Sequence, residues 1–203
     1  MTIKGIVFDL DGVFFLHGHE NFIKNVSRIF SVPKEKVTYA YKKSKEMNKY
    51  YKTGKWDGNK FWSWFCKELG IESSKEELID ILSQGYEINQ DALKVCRKLR
   101  KNRYKTLVCS NNFPERVEML NKKFNFLDEF DVAVFSFEVG VLKPDKKIYE
   151  ELCKRSGLKP EEIFLADDNE KNIESAKKFG IHAIFYTDFN AFVDRLRSLG
   201  VMI

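Results

Sequence analysis

Residues 6–13 read I-V-F-D-L-D-G-V: three apolar side chains run into Asp9, Leu10, Asp11 and Gly12. A short apolar run ended by turn residues suits a strand buried on both faces. Side chains alternate along a strand, so Asp9 and Asp11 leave it on the same side. Gly12 lets the chain turn away at once and keeps both carboxylates at an open strand end. Carboxylates that close repel unless a cation or a shared proton offsets them, so the stretch implies a metal site or a strained pair. The plainer alternative is a two-residue turn at Asp11-Gly12 between Phe8 and Val13.

Beyond residue 88 the same kind of strand recurs in alternation with helices. Strands are predicted at 105–109, 131–135, 163–166 and 182–186. Between and after them, Ala92/Leu93/Cys96/Leu99, Val117/Leu120/Phe124, Tyr149/Leu152, Ile173/Ala176 and Phe189/Phe192/Leu196/Leu199 recur at helical spacing. This alternation implies an α/β fold, a parallel five-stranded sheet with helices on both faces. Residues 20–87 differ: four apolar stripes (Phe22/Val26/Ile29, Val37/Tyr41/Ser44/Tyr51, Phe61/Phe65/Leu69, Leu78/Ile81/Leu82) predict a four-helix bundle inserted between strands. Ser74 and Glu77 make a capping box for the last of these helices. The break at Thr53-Gly54-Lys55-Trp56-Asp57-Gly58 reads either as an ordinary connection or as a lid tip carrying a cation and an aromatic face. His17-Gly18-His19 reads as solvated loop or substrate contact, since no third metal ligand accompanies it.

In a parallel sheet, ligands sit beyond the carboxyl ends of the strands. There the chain places Asp9 and Asp11, then Ser110-Asn111-Asn112 before a helix opening at Pro114, then Lys143-Pro144-Asp145, then Asp167-Asp168-Asn169-Glu170. Each has a structural alternative. Ser110 or Asn112 could cap a helix, Lys143 could be a solvated charge, and the acids at 167–168 could serve a helix dipole. Asp167 continues a buried run, however, and a carboxylate there needs a cation. A hydroxyl and free N–H groups at a helix start make an anion cradle. All of these groups fall at strand ends of one sheet, and carboxylate oxygens suit magnesium.

The bulk numbers restrict the alternatives. The 203 residues fit one large domain or one with an insertion, and 43% hydrophobic residues, 18 of them Phe, supply a core. The net charge of +5 is spread along the chain without a basic block, which points away from nucleic acid. Cys66, Cys96, Cys109 and Cys153 show neither zinc nor disulfide spacing. No apolar run nears the roughly 20 residues needed to span a bilayer, and the N-terminal run is interrupted by Asp9 and Asp11. The expectation is a cytoplasmic protein away from membranes, a monomer or homodimer, acting on a small molecule.

With D-L-D-G-V at 9–13, C-S-N-N at 109–112, G-V-L-K-P-D at 140–145 and L-A-D-D-N-E at 165–170, the chain strongly resembles the haloacid dehalogenase superfamily. Most of its members are magnesium-dependent phosphatases. The resemblance implies a Rossmann-like core over 1–16 and 89–203 and a helical cap over 17–88. It implies Asp9 as nucleophile, forming an aspartyl-phosphate, with Asp11 as general acid and base. Ser110 and the Asn111 backbone would hold phosphoryl oxygens, Lys143 would steady Asp9 and the transferring group, and Gly54, Lys55 and Trp56 would stand near the leaving group. Asp9, the Asp11 carbonyl, Asp167 and Asp168 would bind Mg²⁺. The physical logic agrees: like charges at 4 Å repel by about 4 kcal/mol at an effective dielectric of 20, so an ionised Asp attacking a phosphate needs cations. True dehalogenases need neither the second acid nor a metal, so Asp11 argues for phosphate chemistry. Two departures stand out: an apolar flap at Phe14-Phe15-Leu16, and Asn172 where many relatives carry a third acid. The pattern with Asn172 looks most like the sugar-phosphate phosphatases, including glucose-1-phosphate phosphatases. The rival readings are a sugar-phosphate mutase and, from another class, a receiver-like phospho-acceptor switch.

Overall fold

The computed structural model describes residues 2–203. Its strands are β1 (Gly5–Phe8), β2 (Phe15–Leu16), β3 (Glu87–Ile88), β4 (Lys105–Ser110), β5 (Val132–Phe135), β6 (Ile163–Asp167) and β7 (His182–Phe185). Five of them form a parallel sheet in the order β5-β4-β1-β6-β7, with the opening strand at its centre. Side-chain alternation divides the core between the two faces. Ile6 and Phe8 join one apolar cluster, while Val7 joins another with Leu107, Ile148, Leu152 and Leu165. Both faces of β1 are fully buried, which explains its unbroken apolar run.

The helices of the sheet layer are α5 (Gln90–Lys101), α6 (Pro114–Phe124), α7 (Ser136–Val139), α8 (Lys146–Ser156), α9 (Glu170–Phe179) and α10 (Phe189–Ser198), preceded in sequence by α1 (Gly18–Ile29), α2 (Lys34–Thr38), α3 (Gly58–Leu69) and α4 (Lys75–Gln84). Asp145 starts α8 as expected, its Oδ1 accepting the Lys147 N–H at 2.9 Å.

The segment 18–84 is helical, but its second element is not the single helix that the stripe Val37/Tyr41/Ser44/Tyr51 predicts. α2 passes into two π-helical stretches, Tyr39–Lys43 and Glu46–Tyr51, broken at Ser44, whose ψ is 152°. Ser44 Oγ accepts the Met47 N–H at 3.1 Å and restarts the chain. The first stripe closes with Ile23 and Val26, for Ile29 is exposed. At α4 the Ser74 hydroxyl accepts the Glu77 N–H as expected, but the Glu77 carboxylate takes a hydrogen bond from Ser73 Oγ instead of returning to Ser74.

β2 and β3 pair antiparallel, Phe15 with Ile88, and tie together the two ends of the helical segment. Phe14 and Phe15 are buried in this pairing, and Phe15 and Leu16 line the cavity that reaches Asp11 and Asp168. Phe14 packs on Phe8 and Phe130, Phe15 on Tyr86, Phe124 and Phe126. Above the sheet, Tyr51 stacks on Phe113 with centroids 4.6 Å apart, and its hydroxyl donates to Glu115 Oε2 while accepting from Trp62 Nε1. Gly58 admits Glu115 at this contact: a Cβ there would lie 1.6 Å from its Oε1.

Candidate active site

Strand register assembles the first group. Phe8 pairs with Val108 on one side and Ala166 on the other, so Asp9 leaves β1 between the strands that continue to Ser110 and Asp167. Ser110 is buried at the end of β4. Lys143 arrives from the loop after α7, and Asn111 fixes its backbone from both sides. The Asn111 Nδ2 donates to Lys143 O at 3.0 Å, and the Lys143 N–H donates to Asn111 Oδ1 at 2.7 Å. Thus held, the Lys143 ammonium lies 3.0 Å from Asp9 Oδ1 and 2.5 Å from Asp167 Oδ2. Asp167 also accepts the Asn169 N–H and both contacts of Asn172 Nδ2, at 3.0 and 3.1 Å. Asn172 is a donor to the buried acid, not a substitute for one.

Oxygens of Asp9, Asp167 and Asp168 all lie within 4.8 Å of one another. Gly12 makes room for the third: it has φ +74°, and a Cβ there would stand 3.1 Å from Asp168 Oδ2. Three carboxylates thus face one ammonium. Burial pushes the Asp9 carboxyl up to about 7, with Asp167 and Asp11 adding to the rise and Lys143 opposing it. Burial and Asp167 likewise raise Asp168. Burial works against the Lys143 ammonium, but Asp9 and Asp167 outweigh it and hold its proton well above the usual lysine range. An all-oxygen donor set with uncompensated negative charge fits a small hard divalent cation.

Asp11 faces a different environment. Its Oδ1 is paired with the guanidinium of Arg116, a fully buried residue of α6. Its Oδ2 lies 3.0 Å from His19 Nε2, in the first turn of α1. Burial would raise the Asp11 carboxyl, but Arg116 and His19 outweigh it and hold it well below the ordinary carboxylate range. Burial, seconded by Arg116, brings His19 down to about 4, so its ring is neutral at pH 7. A neutral ring beside a carboxylate carries its proton on Nε2, leaving Nδ1 to accept from the Tyr41 hydroxyl at 3.3 Å. The Arg116 guanidinium lies over the Tyr86 ring, 5.0 Å from its centroid.

The structure joins Asp9, Asp167, Asp168 and Lys143, sets Ser110 and Asn111 on the adjoining strand end, and puts Asp11 beside them with cations of its own. It does not bring Gly54, Lys55 and Trp56 to this group. Gly54 packs on the Phe137 carbonyl, Lys55 is exposed, and Trp56 stacks on Tyr50 at 5.1 Å with the Lys60 ammonium 4.8 Å from its ring centroid. No hydrogen bond or ion pair joins these three to Asp9, Asp11, Ser110 or Lys143. The lysine of this segment that stands in the field of Asp11 and Asp9 is Lys52, whose ammonium burial and Arg116 bring down to about 8. Arg116 and Lys52 were not legible as site residues, whereas His19 falls in the segment read as solvated loop or substrate contact. The one available signal was Arg116 itself, an arginine on the apolar face that Phe113, Val117 and Leu120 give to α6.

Comparison with known proteins identifies the family and the fold. A Dictyostelium discoideum protein of undescribed activity is 30% identical over 160 residues, 75% of this chain and 67% of its own length. Rat bifunctional epoxide hydrolase 2 is 24% identical over 206 residues, 93% of this chain, which spans only 37% of that protein. Among solved structures, the haloacid dehalogenase family enzyme bt-2542 of Bacteroides thetaiotaomicron, in complex with magnesium and inorganic phosphate, superposes with a TM-score of 0.78 at 23% identity, over 94% of this chain and 98% of that one. The family model for haloacid dehalogenase-like hydrolases matches residues 3–180. With its motifs gathered at the ends of a parallel sheet, the chain belongs to the haloacid dehalogenase-like hydrolases.

Proposed function

We propose that the chain is a Mg²⁺-dependent phosphomonoester hydrolase acting on a small phosphorylated metabolite through an aspartyl-phosphate at Asp9, with residues 17–88 as its cap. The observation that carries the reading is the buried Lys143 ammonium held between Asp9 and Asp167, with Asp168 completing a three-carboxylate cluster. Asp9, Asp167, Asp168 and the Asp11 carbonyl would hold the ion, which when bound offsets the carboxylates and draws the phosphoryl group in.

In the first step an Asp9 oxygen bonds to phosphorus, the ester P–O bond breaks, and Asp11 gives a proton to the departing oxygen. Water then adds to phosphorus, Asp11 takes its proton, and the bond to Asp9 breaks, releasing phosphate. At rest, the Arg116 and His19 contacts keep Asp11 ionised, the form required in the second step. A phosphoryl dianion beside Asp11 shifts it towards the protonated form required in the first. Lys143 keeps Asp9 oriented and offsets the charge that repels an incoming phosphate. Ser110 and the Asn111 N–H at the end of β4 bind phosphoryl oxygens, the Asn112 and Phe113 N–H groups being taken by Ser136 Oγ and Asn112 Oδ1.

The test is a phosphate-release screen over sugar phosphates, nucleotides and phospho-acids with Mg²⁺, using Asp9→Asn as the blank. Turnover is expected, and both the substitution and a chelator should abolish it. Isomerised sugar phosphate with little free phosphate would identify a mutase instead. A single phosphate per chain would identify a switch.

A further inference from the structure

Three buried polar atoms next to Asp11 have no hydrogen-bond partner: Arg116 Nε, Arg116 Nη1 and the Tyr86 hydroxyl. A guanidinium carries five N–H donors, and this one spends only its Nη2 on Asp11. Leaving such donors dry is costly, about 1–3 kcal/mol each and more for a charged group. Unpaired donors at this depth therefore point to an acceptor that comes and goes.

The charges around them indicate its sign. On the Asp9 side, three carboxylates face one ammonium. On the Asp11 side the carboxylate is already paired with Arg116. Lys52, whose backbone carbonyl accepts the Ser136 hydroxyl at 2.6 Å next to the Asn112 N–H at the end of β4, adds an ammonium that has no ion-pair partner among the described residues. A neighbouring cavity of about 370 Å³ is lined by Lys42 and Glu20 together with Asp11, His19 and Asp168. A neutral sugar ring would satisfy the N–H groups but leave two cations sharing one anion.

Building on the phosphatase reading, we propose that Arg116 and Lys52 form a second anion site, and that the substrate is a phosphomonoester whose leaving group carries a further oxyanion, a carboxylate or a second phosphate. Arg116 belongs to the sheet layer, whereas Lys52, His19 and Tyr41 belong to the helical segment. Movement of that segment would uncover the guanidinium to the entering group and then close over it. The site would select by charge, with the phosphoryl group at Asp9 and the second anion at Arg116.

The test compares phosphate release from matched substrates: a neutral alcohol phosphate, its phospho-hydroxy-acid counterpart and its bisphosphate. The expected result is a kcat/KM at least tenfold higher for one of the anionic substrates. That preference should fall to within about twofold of unity in Arg116→Gln and be reduced in Lys52→Met, mainly through KM. Which anionic arm leads identifies the second group. Equal turnover of all three by the unsubstituted protein would overturn the second site and leave the phosphatase reading intact. Absence of release from any substrate would overturn the phosphatase reading. The site is then decided by calorimetry with glycolate, malonate and glycerol. Binding of a carboxylate that disappears in Arg116→Gln would sustain it, and no binding would overturn it. Arg116→Lys, which keeps the charge, guards against misfolding: a partly recovered preference is expected, and a preference as low as in Arg116→Gln would contradict the charge argument.

Discussion

Asp9 and Asp11 are two residues apart in the chain and have opposite surroundings. Asp9 belongs to a group of three carboxylates, two of them buried, that faces a single ammonium, and burial pushes its carboxyl up to about 7. Asp11 is bracketed by a guanidinium and an imidazole, and its carboxyl lies well below the ordinary range. In one pocket carboxylates outnumber the ammonium, and in the other the carboxylate is matched by a guanidinium. The difference teaches that short D-x-D spacing does not give two equivalent acids. The partners that separate them come from β6, from the loop after α7 and from α6, all far away in sequence, and from the nearby start of α1. A nucleophile needing a cation and an acid–base group kept apart from it are what consecutive attack and hydrolysis at phosphorus require.

The most severe way to break the contrast is Asp9→Asn, which removes the charge of the oxygen proposed to attack. Phosphate release should fall at least about a thousandfold, measured at saturating substrate and Mg²⁺. Lys143→Met comes next. It leaves Asp9 and Asp167 buried without their ammonium, and removing one partner of a buried pair costs about 3–5 kcal/mol. Denaturant unfolding should show this loss in metal-free buffer and a partial recovery with Mg²⁺, since the ion offsets the same carboxylates.

A subtler test uses pH, because the two regions titrate with opposite sign. Asp9 holds its proton to about 7 in the folded metal-free protein but to 3.8 in the open chain. Its contribution is therefore complete below pH 3.8 and lost as pH rises towards 7. His19 behaves in reverse: the open chain takes a proton at 6.5 and the folded protein only near 4, so stability falls as pH drops through that window. Asp11, with its lowered carboxyl, contributes stability above 3.8 that is lost at lower pH. In metal-free protein between pH 4 and 6.5 the Asp9 and His19 slopes oppose each other. Asp9→Asn should leave stability rising with pH over this range, and His19→Asn should leave it falling, as read by thermal unfolding. The smallest effect expected is that of Lys55→Ala and Trp56→Ala, which touch neither pocket: kcat/KM should change less than about threefold.

Legibility in the sequence followed the range of the interactions. The strand ends were legible because apolar runs, Gly12, Pro114 and Pro144 mark local geometry, and these ends carry Asp9, Ser110, Lys143 and Asp167. The Asp11 environment was not, since Arg116 is 105 positions from its partner and looks in sequence like any charged helix residue. Lys52 and Lys55 are indistinguishable by composition. Only the stacking of Trp56 on Tyr50 and the seating of Gly54 on Phe137 decide which lysine stands near the acids. The stripe from Val37 to Tyr51 misled because a periodicity of apolar residues does not register wide π turns or the break at Ser44.

The most direct test is a carboxyl-carbon NMR titration of aspartate-labelled protein, with Asp9→Asn and Asp11→Asn used to assign the two resonances. In metal-free protein Asp9 should titrate near pH 7 and Asp11 should remain ionised well below the ordinary aspartate range, and saturating Mg²⁺ should remove the Asp9 transition from neutral pH. An Asp11 resonance that titrates near neutrality, or an Asp9 resonance already ionised at pH 5 without metal, would contradict the opposed environments.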